Sequence, residues 1–144
     1  MAAAYDTDFY TWTQEQAHAL RKSRPENLDW ENLAEEIESL GKNNQHAIVS
    51  RLRVLIGHLL KWRAQPERRS SSWIATIALQ RSEVEDLLEE NPSLRARLPL
   101  FYQKAWSGGR YVASKDMNCP LSALPTGPLW SVEQVLDENF WPES

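Results

Sequence analysis

Cysteine is nearly missing from this chain. Cys119 stands alone among 144 residues, so no internal disulfide can form and the fold must rest on its core. That usage suits a reducing compartment, and a cytoplasmic location is the expectation. Glycine is scarce as well, five in all, and none of it builds a phosphate-cradling loop or a nucleophile elbow. Long apolar runs are absent. The longest, Val54 to Leu60, is broken by Gly57 and His58 and falls far short of the roughly 20 residues that span a bilayer. The opening MAAAYDTD has no basic region followed by an apolar one, so no signal peptide is read. No internal repeat and no period-2 strand pattern appears. The sequence therefore offers no membrane span and no catalytic or cofactor motif.

What is present is helical periodicity. The chain centres on Gln45 to Trp73, whose first two-thirds is the most apolar helix and whose last third is the densest basic patch. Stepped at 100° per residue, Ile48, Val49, Leu52, Leu55, Ile56, Leu59, Leu60 and Trp62 fall in one sector about 160° wide. A stripe of that width predicts contacts on more than one side. Pro66 stops this helix. The next is expected from Glu67 or Arg68, with Trp73, Ile77, Val84, Leu87 and Leu88 as its stripe.

Upstream, a helix is read over about Asp8–Lys22, capped by Asp6, Thr7 or Asp8, with Phe9, Trp12, Gln16 or Ala17, and Leu20 facing inward. After a linker at residues 23–27, Asp29 caps a second helix, Trp30 to Leu40. Trp30, Leu33, Ile37 and Leu40 form its buried seam, and Gly41 is placed to end it in a left-handed turn. Downstream, Pro92 stops the fourth helix and Ser93 caps a fifth carrying Leu94, Leu98, Phe101 and Ala105. That helix either kinks or begins at Pro99, and Gly108-Gly109 invites a bend. Residues 116–130 read as an ordered, proline-rich loop. Ser131 and Gln134 match a capping box for a short last helix, after which Phe140-Trp141-Pro142 should pack back. The expected architecture is all-α: one domain over residues 1–144, an irregular bundle of about five longer helices and a short C-terminal one.

The formal net charge of −4 conceals blocks of opposite sign. Residues 1–41 hold nine acids and three bases, residues 42–81 one acid and eight bases, and residues 82–90 five acids and no base. Such blocks either pair inside the fold or face a partner.

Three clusters carry candidate chemistry. Glu15 and His18 have the Glu-x-x-His spacing of carboxylate-bridged metal bundles, but no second copy exists, so no metal site is assigned. Arg51, His58 and Trp62 follow one edge of the central helix, where Glu35 and Glu36 of the second helix could face them. That would make a polar pocket with a titratable imidazole, against the plainer reading of a boundary histidine and an orienting ion pair. Arg53, Lys61, Arg63, Arg68 and Arg69, with Trp62 and Trp73 interleaved, form a basic patch suited to phosphate contact and stacking, or to internal pairing with the acidic helices.

With those residues in place, the chain resembles the bacterial, largely cyanobacterial, domain-of-unknown-function family 29. The resemblance rests on Asp8-Phe-Tyr-Thr-Trp12, Asp29-Trp-Glu-Asn-Leu33, Glu35-Glu-Ile-Glu-Ser-Leu-Gly41, His58-Leu-Leu-Lys-Trp62, Gln65-Pro-Glu-Arg-Arg69, Ser72-Trp73, Asn91-Pro-Ser-Leu-Arg95 and Leu136-Asp-Glu-Asn-Phe-Trp-Pro142. It runs nearly end to end. It implies a small all-α protein and brings no established activity or site. The leading expectation is a non-catalytic protein-interaction module that uses no cofactor and receives an acidic or helical protein partner near the Arg-rich corner. Nucleic-acid binding or an antitoxin-like role through the basic 51–69 block is the second reading. A small-ligand or enzyme site around His58 is the third.

Overall fold

The computed structural model describes residues 4–7 and 9–143, and the side chains of residues 5–6 and 11–143. The described residues are all-α, with no strand among them. They divide into two compact units, Met1–Asn43 and Asn44–Ser144.

The first unit holds α1 (Ala4–Thr7), α2 (Phe9–Arg21), a 3-10 turn at Pro25–Asn27 and the start of α3 (Trp30–Ala64). Its small core is built on Trp12, Gln16 and Ala19 of α2, which are buried. Buried Gln16 ties down the linker: its Nε2 donates to the Asn27 carbonyl at 3.3 Å and its Oε1 accepts from the Asp29 amide at 2.8 Å. Asp29 caps α3 as expected, accepting from the Asn32 amide at 3.5 Å, the Asn32 Nδ2 at 2.8 Å and the Trp12 indole at 3.2 Å. These bonds, that from the Asn32 side chain foremost, hold its carboxyl below the ordinary carboxylate range. The expected cap at Asp8 and the side chain of Phe9 lie outside the described residues.

α2 ends in a Schellman motif. Ser23 takes φ 52°, the Arg24 amide donates to the Ala19 carbonyl at 3.0 Å, and the Ser23 amide donates to that of Leu20 at 3.2 Å.

The helix expected to stop at Leu40 does not stop. α3 runs through Gly41, and no glycine has positive φ. A lone glycine costs a helix about 1 kcal/mol, and no proline follows before residue 66. Nothing after Gly41 forbids the next turn. The two helices read on either side of it are one, leaving four long helices among the described residues, not five.

The second unit holds the rest of α3, α4 (Ser71–Glu90), α5 (Leu98–Met117) and α6 (Val132–Leu136), with 3-10 turns at Pro66–Arg68, Pro92–Arg97 and Leu121–Ala123. Its core takes Ile48, Leu52, Leu55, Ile56, Leu59 and Leu60 from α3, Ile77, Val84 and Leu88 from α4, and Phe101, Ala105, Trp106 and Ala113 from α5. α3 therefore buries a broad sector in this unit, as its apolar width requires. One expected start moves, and one of the two readings at Pro99 holds. α4 begins at Ser71, because Ser70 caps it by accepting from the Trp73 amide at 3.2 Å. Ser93 makes no side-chain cap; it sits in the 3-10 turn, and α5 begins at Leu98 with Pro99 in its first turn.

α5 does not break at Gly108-Gly109. Those glycines admit α3 instead. A Cβ on Gly109 would come 3.2 Å from the Arg53 carbonyl oxygen and nearer still to Ile56, and one on Gly57 would come 2.8 Å from Val112 Cγ1. α5 closes at Asn118, left-handed at φ 51°, in a second Schellman motif. The loop beyond is fastened to α5: Arg110 donates to the Leu121 carbonyl at 2.7 Å, Trp106 to Pro125 at 3.1 Å and Tyr102 to Trp130 at 2.7 Å. Ser131 and Gln134 form the expected capping box of α6.

The C-terminal tail does pack back, and an arginine the sequence reading left out holds it. Arg81 of α4, only 4% exposed, donates to the carbonyls of Val135 at 2.8 Å, Phe140 at 2.7 Å and Glu138 at 3.4 Å. Its guanidinium lies 5.5 Å from the ring centre of Trp141, whose ring lies 4.4 Å from that of Trp62, tilted by 39°. A signal was available: Arg81 stands four residues after Ile77 and three before Val84, in phase with the core.

Candidate functional site

The sequence nominated a basic patch, and the structure takes it apart. Lys61 is buried at 6% exposure, its Nζ 2.9 Å from Asp116 of α5 and 5.0 Å from the ring centre of Trp73. Its charge is answered within the fold by Asp116, whose side chain is 47% exposed, so it is not free for a partner. Arg69 is folded onto its own helix corner. Its Nε donates to the Trp62 carbonyl at 2.9 Å and its guanidinium lies 4.7 Å from the Trp62 ring centre. Arg53, Arg63 and Arg68 are exposed. The interleaved aromatics are already occupied, Trp62 by Arg69 and Trp141, Trp73 by Lys61.

The proposed polar pocket does not assemble as drawn. Glu35 and Glu36 lie on α3 itself, in the first unit, so the separate second helix that was to carry them past His58 does not exist. Glu36 instead accepts from the Tyr5 hydroxyl at 2.7 Å, which pushes that phenol up to about 12. His58 is half-buried, with Nδ1 2.9 Å from the Val54 carbonyl. Burial lowers its pKa and Lys61 adds to that, while the Val54 bond and Asp116 oppose it. A carbonyl can only accept, so Nδ1 is the donor in the contact with Val54. Arg51 is half-buried on the same helix. Glu15 and His18 line a shallow hollow on α2 with Gln14, Ala19 and Asn27, and no group of three potential metal ligands occurs among the described residues.

What the sequence reading placed inside, the structure leaves outside. Trp30, Ile37 and Leu40 are 65%, 66% and 64% exposed, and Leu20 is exposed too. Only Leu33 of that seam is half-buried. Asn32, Leu33 and Glu36 mark the covered side of this helix stretch. Trp30, Ala34, Ile37 and Gly41 lie within about 60° of one another on the open side by helical geometry. Ala34 makes the middle of this lane low and Gly41 its far end, and nothing stands within 4 Å of a Cβ placed on Gly41. Glu31 and Glu38, both exposed, border one side. The result is an apolar lane with an acidic rim, a surface that helix-in-groove recognition uses. No helix among the described residues is long and apolar enough to cross a membrane.

The chain belongs to the family described as Domain of unknown function DUF29, whose model matches residues 4–141. No curated protein and no solved structure matches it significantly. The family resemblance read from the sequence is therefore shown over nearly the whole chain, and with it comes no activity to transfer.

Proposed function

We propose that this protein is a non-catalytic helical interaction module, and that the acid-rimmed lane on α3 is where its partner docks. The observation that carries the reading is the exposure of Trp30 and Ile37 on one side of a helix that is otherwise well formed. Apolar side chains at such spacing gain little while they face water; covering one fully contributes about 1.5–3 kcal/mol. The rim selects the occupant. With Glu31 and Glu38 beside the lane, the complementary partner is a protein segment that presents an apolar helix face bordered by Lys or Arg. This moves the docking surface away from the Arg-rich corner, where Lys61 and Arg69 are engaged by their own neighbours.

The test is a tagged pull-down from the native host, with cross-links mapped by mass spectrometry and the eluate assayed for nucleic acid. The wild type and Arg63→Glu should retain one near-stoichiometric protein, cross-linked through a basic amphipathic segment, and Ile37→Asp should lose it. Retention by Ile37→Asp would overturn the reading. So would a self-association, seen by sedimentation, that Ile37→Asp abolishes, since the occupant would then be a second copy. Nucleic acid recovered at low salt and released at moderate salt would shift the function to the exposed arginines.

A further inference from the structure

We propose that a cleft between α3 and α5 is an anion site for a small phosphate ester. The cleft, about 360 Å³, is lined by His46, Ser50 and Arg53 of α3 and Lys104 of α5, over Val49 and Phe101. Its size falls in the range of small-molecule sites. No carboxylate lines it among the described residues. Two ion pairs are formed among the described residues, Lys61–Asp116 and Arg95–Glu85, so neither Arg53 nor Lys104 is paired there. Arg53, Lys104 and the His46 ring thus share one concave surface of the second unit, with no carboxylate among the described residues that line it.

Local structure explains the convergence. His46, Val49, Ser50 and Arg53 are spaced i, i+3, i+4, i+7 and share one face of α3. Phe101 and Lys104, three apart, share a face of α5. Gly108 directs the arginine: a Cβ there would sit 2.6 Å from Arg53 Cγ, so the missing side chain is the bed for the arginine stem. A guanidinium fork offers two parallel donors to phosphate oxygens, and the lysine adds a point charge. The Ser50 hydroxyl and the His46 ring supply further donors. The Val49 and Phe101 floor is apolar, which favours an ester with an organic body over the bare ion.

The three histidines are built-in reporters, since His46 lines the cleft while His18 and His58 lie elsewhere. The experiment is an NMR titration of the full chain with phenyl phosphate and, separately, inorganic phosphate, at constant ionic strength. Phenyl phosphate should move the His46 ring resonances saturably and leave those of His18 and His58 in place. It should bind about tenfold more tightly than inorganic phosphate. Lys104→Met should weaken it by about tenfold or more, and Arg63→Met should not. Lys104 is exposed, so its loss leaves the fold intact, and Arg53→Met, which keeps a stem over Gly108, gives a second reading of the same site. Equal shifts at all three histidines, no saturation, or indifference to Lys104→Met would overturn the site. Equal affinity for the two probes would overturn the ester as its ligand.

Discussion

One helix, α3, carries two stretches with the same apolar rhythm and opposite fates. Over residues 30–40 its large side chains at positions 30, 37 and 40 stand roughly two-thirds exposed; over residues 48–60, Ile48, Leu52, Leu55, Ile56 and Leu59 are wholly buried. Spacing cannot separate them, because both repeat at 3 and 4. Width does. The second stretch fills a sector of about 160°, which a helix covered on several sides needs, while the first is a narrow seam. A narrow seam needs one covering surface, and a partner can supply it as well as the chain can.

The sharpest way to break this comparison is to truncate one residue from each stretch. Leu52→Ala should destabilise the second unit by about 2–5 kcal/mol, the transfer loss plus the cavity it leaves. Ile37→Ala, at an exposed position, should stay within about 0.5 kcal/mol. Urea titrations with unchanged m-values would read both. A large loss at Ile37 would mean that the lane is covered within the chain. The outcome that supports docking is a stable Ile37→Ala variant that binds its partner less tightly.

Much of this was legible in the sequence and some was not, for reasons that differ by residue. Local signals held where the chemistry is local: Asp29 and Ser131 cap helices, and Pro66 ends α3. Of the α4 stripe, Ile77, Val84 and Leu88 are buried as read, while Trp73 and Leu87 are half-buried. Gly41 failed because a helix stop needs more than a permissive residue, and here no proline or left-handed cap enforces it. Lys61 failed because charge counting sees sign and not depth; its partner Asp116 is far off in sequence. The cleft of His46, Arg53 and Lys104 was half visible, since the α3 face shows its i, i+3, i+4, i+7 spacing. Which face of α5 meets it is a tertiary fact that Gly57, Gly108 and Gly109 decide.

The glycines give a second, smaller test of the same contrast. Gly109→Ala should destabilise by about 1–3 kcal/mol, because overpacking against Ile56 and the Arg53 carbonyl exceeds the gain in helix propensity. Gly41→Ala should stabilise by about 1 kcal/mol, since it meets only open space and removes a flexible residue from a helix interior. The same substitution on helices of the two units would then have opposite signs. Thermal unfolding of the two variants reads the difference, and a destabilising Gly41→Ala would mean that the lane is not open.

The smallest effect separates local structure from packing. Both units close a helix with a Schellman motif and a non-glycine residue in the left-handed region, Ser23 at φ 52° and Asn118 at φ 51°. A side chain there costs about 1–2 kcal/mol against glycine, partly offset because glycine loses about 0.5–1 kcal/mol more backbone entropy on folding. Asparagine tolerates the region better than serine does. Ser23→Gly should therefore stabilise by a few tenths of a kcal/mol up to about 1, and Asn118→Gly by close to nothing. Hydrogen exchange at the capping amides of Arg24 and Cys119, which donate to Ala19 and Ser114, resolves shifts of that size in each unit separately. Equal gains would mean that the two caps carry equal strain. A gain confined to Ser23 would show that the first unit holds removable local strain as well as an uncovered face, which leaves room to stabilise it without touching the lane where the partner is proposed to bind.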